Sequence, residues 1–234
     1  MMAETDSTTP HAIERWLEGR LPGYRFGLVL LLLLMTCVFM ASGVTSSFGR
    51  VVTVALQCLT LLAALRASQV HRRTFRIAAL VALIAFVGSV VSVAITSSDD
   101  AKGAIFVLNI LVVAGAPVAI ANALWHRPVV DIHTVLGAIC IYVLMGMMFA
   151  FLYAAIGYFA ADPFFVQTDD ATTSVYLYFS FVTLSTVGYG DFTAAGDLGR
   201  TIASLEGVLG QLYLVTIVAT IVSRMSPRAG RFES

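Results

Sequence analysis

Residues 183–191 read Thr-Leu-Ser-Thr-Val-Gly-Tyr-Gly-Asp and lie between two long apolar segments. Within this stretch, the run Thr186, Val187, Gly188, Tyr189 and Gly190 predicts a strand that aims backbone carbonyls at a dehydrated cation. The two glycines permit the left-handed backbone that such a strand needs, and the threonine hydroxyl adds one more oxygen at the inner end. Because one strand cannot enclose an ion, four copies around an axis are implied.

The motif Thr-Val-Gly-Tyr-Gly-Asp at 186–191 resembles the signature of the potassium channel family. The lead-in at 183–185 and the Leu-Gly-Arg at 198–200 are also similar to that family, and the resemblance covers residues 129–225. It implies a potassium-selective homotetramer that needs no cofactor. The permeant ion, K⁺, would bind at Thr186, Val187, Gly188 and Tyr189. Residues 26–126 carry no matching motif.

Composition predicts a membrane protein. The 234 residues are 59% hydrophobic and 12% charged, with a mean hydropathy of +0.89. A soluble domain would carry about twice that charged fraction. The net charge of zero argues against a nucleic-acid partner. Cys37, Cys58 and Cys140 all lie in apolar segments without metal-site spacing, so we expect buried thiols.

The apolar segments predict the fold class, an all-α membrane protein with six transmembrane helices. Their lengths suit membrane crossing, and they occupy residues 26–45, 51–68, 77–96, 104–124, 129–161 and 198–222. Between the last two, residues 173–185 predict a pore helix of about 13 residues, too short to cross a bilayer. Such a re-entrant pore helix with a filter loop is tolerated inside protein or beside a water-filled cavity. The pore is predicted to be tetrameric.

Four regions follow from this pattern. Residues 1–25 predict a cytoplasmic segment, either a helix on the membrane surface or a solvated tail. Residues 26–126 predict a four-helix transmembrane region without gating charges, and residues 127–225 a pore domain of outer helix, pore helix, filter and inner helix. Residues 226–234 predict a short cytoplasmic tail.

The basic residues predict the orientation in the cell membrane. With both termini in the cytoplasm, every arginine and lysine lies inside except Arg50, Lys102 and Arg200. The same orientation places the filter near the outer face. Membrane lipids are the expected partners besides the other subunits, since basic residues between 66 and 76 would meet anionic lipid at the inner surface.

Several side chains are predicted to support the filter. Asp191 and Asp197 would concentrate cations at the pore mouth. At the position of Tyr178 the family often has a tryptophan that donates a hydrogen bond to the aspartate after the filter. The resemblance therefore implies a hydrogen bond from Tyr178 to Asp191. Val182 stands where some members carry a glutamate, so no carboxylate is expected behind the filter. An aromatic cuff around the filter, with lipid or interface packing as the alternative, comprises Tyr176, Tyr178, Phe179 and Phe181.

The inner helix carries the remaining candidates. Gly210 has the family's hinge spacing, and close helix packing is the alternative. Glu206 is an intramembrane carboxylate, hence a functional candidate, either neutral or paired within the pore domain. It is grouped with the hinge and cavity residues of the inner helix, among which Gln211, Leu214 and Val218 share one helix face.

The function predicted from these observations is passive K⁺ conduction. Residues 104–124 contain no lysine or arginine, so the fourth span lacks the charges of a voltage sensor. No nucleophile and base are paired as an enzyme would need. The alternatives are a less selective cation channel and a non-conducting membrane scaffold subunit.

Overall fold

The computed structural model describes residues 25–43, 47–68, 72–95, 110, 112–122 and 132–225, and regular structure in these ranges is helical. The helices in chain order are α1 Arg25–Ala41, α2 Ser47–Ala67, α3 Arg72–Ile95, α4 Val112–Asn122, α5 Ile132–Phe159, α6 Thr173–Leu184 and α7 Asp197–Met225. The predicted all-helical class is confirmed for the described residues. The predicted N-terminal segment 1–25 except its last residue, most of the first half of the predicted fourth span, residues 123–131 and the predicted tail 226–234 lie outside them.

Among the residues that the structure describes, two helices have the length and apolarity that crossing a membrane requires, over Thr134–Phe159 in α5 and Asp197–Thr220 in α7. The first four predicted spans are represented by shorter apolar helical stretches. Many of their large apolar side chains face outward, among them Leu31 and Met35 on α1 and Leu80 on α3. Helices that are apolar on all sides suit a lipid environment, so the protein is a membrane protein.

The predicted and observed helices differ mainly at their ends. α1 ends at Ala41 instead of residue 45, because Gly43 adopts a φ of +65° that terminates the helix. α3 begins at Arg72 instead of residue 77, so part of the basic cluster is helical. α6 matches its prediction to within one residue, and α7 extends three residues further than expected.

The helices that surround the filter form one packed unit. α5 packs against α6 and α7, and α6 packs against α7. α1 also contacts α2, α5 and α6, and it buries Phe26, Val29, Leu33 and Met40, which recur at helical spacing. α1 is therefore part of the packed unit around the filter stretch.

Candidate pore site

The short helix α6 ends where the filter stretch begins. Its 12 residues rise about 18 Å, well short of a bilayer. It starts after Thr172, whose backbone is extended. The Thr172 hydroxyl lies 2.8 Å from Ser174 Oγ and makes no capping bond to a backbone N–H. The opposite end of α6 presents the negative end of its dipole to the filter stretch.

The backbone of the filter stretch alternates in handedness. Thr186, Gly188 and Gly190 have positive φ angles of 58°, 58° and 77°, and the two residues between them do not. Alternation of this kind turns successive peptide groups toward the same side. Only glycine adopts such angles freely, so Thr186, a β-branched residue, is the strained member of the series.

The amide hydrogens of the same stretch point back toward α6. Thr186 N–H donates to the Thr183 carbonyl at 2.9 Å, and the N–H groups of Val187 and Gly188 donate to the Val182 carbonyl at 3.0 and 3.3 Å. In a planar trans peptide the carbonyl of the preceding residue points the opposite way. The carbonyls of residues 185–187 are therefore directed away from α6, as a cation site built from backbone oxygens requires.

The filter stretch is exposed in a single chain. Tyr189 is 71% exposed and Val187 is 52% exposed, although both lie between two apolar helices. One strand offers its carbonyls from one direction only, so the stretch by itself does not form a cage for an ion.

Tyr178 and Asp191 connect α6 to the end of the filter stretch. Tyr178 Oη donates to Asp191 Oδ2 at 2.7 Å, and the Phe192 N–H donates to Asp191 Oδ1 at 3.1 Å. The Tyr178 ring also stacks on the Tyr189 ring, with centroids 6.4 Å apart. The structure thus contains the hydrogen bond that the sequence predicted. This bond, which favours the protonated hydroxyl, raises the pKa of Tyr178 to about 12.

The other members of the predicted aromatic cuff pack within the chain. Tyr176 and Phe179 are buried against Phe165, with ring centroids 5.1 and 5.2 Å apart. Phe181 is partly buried against α5. Packing against lipid, the alternative interpretation, does not describe the two buried rings.

The loop before α6 pairs with the segment after the filter, which sequence reasoning missed. Val166 N–H donates to the Thr193 carbonyl at 3.0 Å, and Ala195 N–H donates to the Phe164 carbonyl at 2.8 Å. The Gln167 amide bonds Thr193 twice, through its backbone N–H and its hydroxyl, each at 2.9 Å. Two adjacent phenylalanines in a polar loop were the available signal that this segment folds back onto the protein.

Asp197 begins α7, where the helix dipole favours a negative charge. Its carboxylate lies 3.8 Å from Arg200 Nη1, and both side chains are well exposed. Arg200 Nε also donates to the Ala194 carbonyl at 3.0 Å. Asp197 thus forms an ion pair with Arg200 at the start of α7, whereas Asp191 accepts a hydrogen bond from Tyr178 beside the filter stretch.

Gly210 packs closely against the end of α6. A Cβ on Gly210 would lie 2.3 Å from the Leu184 carbonyl oxygen, and α7 continues as helix on both sides of this residue. Tyr142 Oη also donates to that carbonyl at 3.3 Å. Of the two interpretations left open by the sequence, the structure contains the close-packing arrangement.

Glu206 does not line a cavity, contrary to the prediction. Its side chain is fully buried, and its carboxyl oxygens lie 2.5 Å from Ser180 Oγ of α6 and 2.5 Å from Tyr153 Oη of α5. α7 thus brings a carboxylate to α5 and α6, although the position of Val182 carries none. The other predicted cavity residues are on the outward side of α7 and are exposed in the single chain: Gln211, Leu214 and Val218.

Comparison with known families identifies the same part of the chain. Residues 141–226 match a family model described as "Ion channel" (Ion_trans_2). The match supports an ion-channel domain. It begins inside α5 and ends just beyond α7, so it includes most of α5 and all of α6, the filter stretch and α7. Ion channels are not enzymes, which agrees with the sequence prediction. Neither a curated protein nor a solved structure matches the chain.

Proposed function

We propose that the protein is a potassium-selective channel that conducts K⁺ passively through a homotetrameric pore. The backbone of residues 186–190 carries the proposal. Alternate residues have positive φ angles, and the amide hydrogens of its inner half are used in bonds to α6. This arrangement supports carbonyl oxygens that replace the water around a dehydrated K⁺ ion.

Symmetric assembly is supported by the exposed parts of the pore domain. The filter stretch and an apolar side of α7 with Leu205, Val208, Leu212 and Val215 lack cover in one chain. Four copies around an axis would bring four filter strands together and cover this side of α7. Gln211, Leu214 and Val218 would then line the inner cavity, with Asp191 and Asp197 near the outer mouth.

The remaining helices complete the proposed topology. α1 to α4 would be the first four of six spans in the cell membrane, with both termini in the cytoplasm. Arg66, Arg72, Arg73 and Arg76 would lie at the inner surface, where each charge near anionic lipid contributes about 1 kcal/mol. Membrane lipids are thus proposed as partners besides K⁺ and the other subunits.

The test is ion flux through purified protein in liposomes, with K⁺ and Na⁺ compared, followed by reversal potentials in mixed solutions. Gly188→Ala and Gly196→Ala form a matched pair, because an added Cβ meets no atom within 4 Å at either position. Only Gly188 has a positive φ, so only its variant strains the backbone, by about 1–2 kcal/mol. We expect Gly188→Ala to lose K⁺ selectivity and Gly196→Ala to retain it.

The alternatives give different results in the same assay. A less selective cation channel would pass Na⁺ and K⁺ at similar rates in the unmodified protein. A non-conducting scaffold subunit would form tetramers in detergent but pass neither ion. Unchanged K⁺ preference in Gly188→Ala would contradict the assignment of the filter.

A further inference from the structure

Glu206 lies where three helices of the pore domain meet. It belongs to α7, and its two carboxyl oxygens reach Ser180 Oγ of α6 and Tyr153 Oη of α5, each at 2.5 Å. Ser180 Oγ lies a further 2.7 Å from the Gly146 carbonyl oxygen of α5. A continuous chain of oxygens therefore runs from Tyr153 through Glu206 and Ser180 to Gly146.

The number of hydrogens in this chain decides the form of Glu206. Ser180 has one hydroxyl hydrogen, but two acceptor oxygens lie within 2.7 Å of its Oγ. If Glu206 were ionised, one of these two short contacts would join oxygens with no hydrogen between them. If Glu206 is a neutral acid, its Oε1–H donates to Ser180, Ser180 donates to the Gly146 carbonyl, and Tyr153 donates to Oε2. Every short contact then holds one hydrogen.

The surroundings also favour a neutral acid. The Glu206 side chain has no exposed area. The titratable groups that face it are Tyr153 and Tyr142 of α5, and α6 contributes the Ser180 hydroxyl. Among the described side chains the ion pair found is Arg200 with Asp197, and none pairs a basic group with Glu206. Burying an unpaired charge is costly, so such a group loses its charge instead.

The position of Ser180 connects the chain of oxygens to the filter stretch. Two residues further along α6, the Val182 carbonyl accepts the N–H groups of Val187 and Gly188. α5 and α6 also approach closely at this level. An added Cβ on Gly146 of α5 would lie only 2.9 Å from the Phe181 ring of α6. A shift of α6 at Ser180 would therefore move the carbonyl that orients two filter peptides.

We propose that Glu206 is a positioning residue that acts as a neutral carboxylic acid: through Ser180 and Tyr153 it fastens α6 to α5 and α7 and thereby holds the filter strand in its conducting geometry. The effect on conduction rests on the proposed channel function. The protonation of Glu206 does not, whereas its contribution to tetramer stability rests on the proposed homotetramer.

Infrared difference spectroscopy of the full-length protein in liposomes tests the protonation. The spectrum of the unmodified protein minus the spectrum of Glu206→Gln should show the C=O band of a protonated carboxyl group at neutral pH. Glu206→Asp, which keeps an acid but shortens the side chain, is expected to shift that band because it no longer reaches Ser180 and Tyr153 together. A carboxylate band in place of the acid band for Glu206 would overturn the proposal.

A series of variants tests the positioning role. In Glu206→Gln the amide N–H replaces the acid O–H toward Ser180, and its oxygen still accepts from Tyr153. We expect its K⁺ flux to stay within about twofold of the unmodified protein. Glu206→Ala leaves two buried hydroxyls without their partner and should reduce flux per tetramer about tenfold or more. Flux that is equal in the Ala and Gln variants would overturn the proposal.

The two hypotheses fail in distinguishable ways. If the unmodified protein passes no K⁺, the proposed function fails, and the infrared band still tests the protonation of Glu206. If Glu206→Ala does not assemble, Ser180→Ala provides the second test, because it removes the same link without emptying the site. It should lower the melting midpoint of the tetramer, and an unchanged midpoint together with unchanged flux would contradict the role of the chain of oxygens.

Discussion

Gly210→Ala is the substitution whose effect the structure defines most sharply. The new methyl carbon would lie 2.3 Å from the Leu184 carbonyl oxygen and 2.9 Å from Leu184 Cδ1. An ordinary contact between carbon and oxygen is about 3.4 Å, so α7 and α6 would have to separate by about 1 Å. Because the crowded atom is backbone at the end of α6, it cannot turn aside as a flexible side chain would.

The expected magnitude is the difference between two opposing effects. Overpacking costs about 1–3 kcal/mol, and a backbone contact favours the upper part of that range. Alanine in place of glycine inside a helix contributes about 1 kcal/mol in the opposite direction. The net result for Gly210→Ala is therefore a loss of about 2 kcal/mol. K⁺ flux should fall as well, because Leu184 is two residues from Thr186.

Gly207→Ala is the matched control on the same helix, three residues earlier. Its Cβ would lie 3.6 Å from the Thr183 carbonyl oxygen, which is an ordinary contact. It should therefore gain about 1 kcal/mol from helix propensity without strain. The assay is the melting midpoint of purified tetramers in one detergent, with liposome flux measured on the same samples.

The sign of the change tests the reasoning. If Gly210 served as a free hinge in uncrowded space, alanine would stiffen the helix and raise the melting midpoint, as in Gly207→Ala. Equal stabilisation by the two substitutions would refute the close packing of α7 against Leu184.

Three further predictions concern other parts of the chain. Tyr178→Phe, which removes the bond to Asp191, should lower sustained K⁺ flux, and Tyr178→Trp should restore part of it by supplying an N–H donor. The raised pKa of Tyr178 keeps its hydroxyl protonated. The contribution of this bond should therefore be complete below pH 10 and lost as the pH rises through about 12. Flux measured as a function of pH, in the unmodified protein and in Tyr178→Phe, checks this. Recordings should show no steep voltage dependence, because residues 104–124 carry no basic charge and one charge in 100 mV supplies about 2.3 kcal/mol. Removing the residues before Arg127 should still leave a potassium-selective tetramer but lower its melting midpoint, and an unchanged midpoint would contradict the packing of α1 on α5.

The sequence allowed the helix α6 and the bond between Tyr178 and Asp191 to be predicted because their signals are local. A short apolar run between threonines and the glycine-containing motif defined α6 to within one residue. The bond between Tyr178 and Asp191 was implied by a resemblance at two positions 13 residues apart. Features of this kind depend on neighbouring residues and on known spacing, so one sequence suffices to propose them.

The surroundings of Glu206 could not be predicted because they depend on the rotation of α7 relative to α5 and α6. Glu206 is 26 residues from Ser180 and 53 residues from Tyr153 along the chain. An apolar helix without strong amphipathic character gives little indication of which side faces inward. Helical spacing correctly grouped Gln211, Leu214 and Val218, but Glu206 was assigned to that group on its chemistry alone.

The packing of α1 gives the first part of the chain a physical role in the pore domain, although that part contains no functional motif. Phe26 and Val29 are buried at the start of α1, and Cys140 Sγ of α5 lies 3.8 Å from the Phe26 carbonyl oxygen. α1 also contacts α6, the helix that precedes the filter stretch. α6 is thus held between α1, α5 and α7. A helix of 12 residues is too short to be stable by itself, so these three contacts must supply the stability that keeps the filter strand in place.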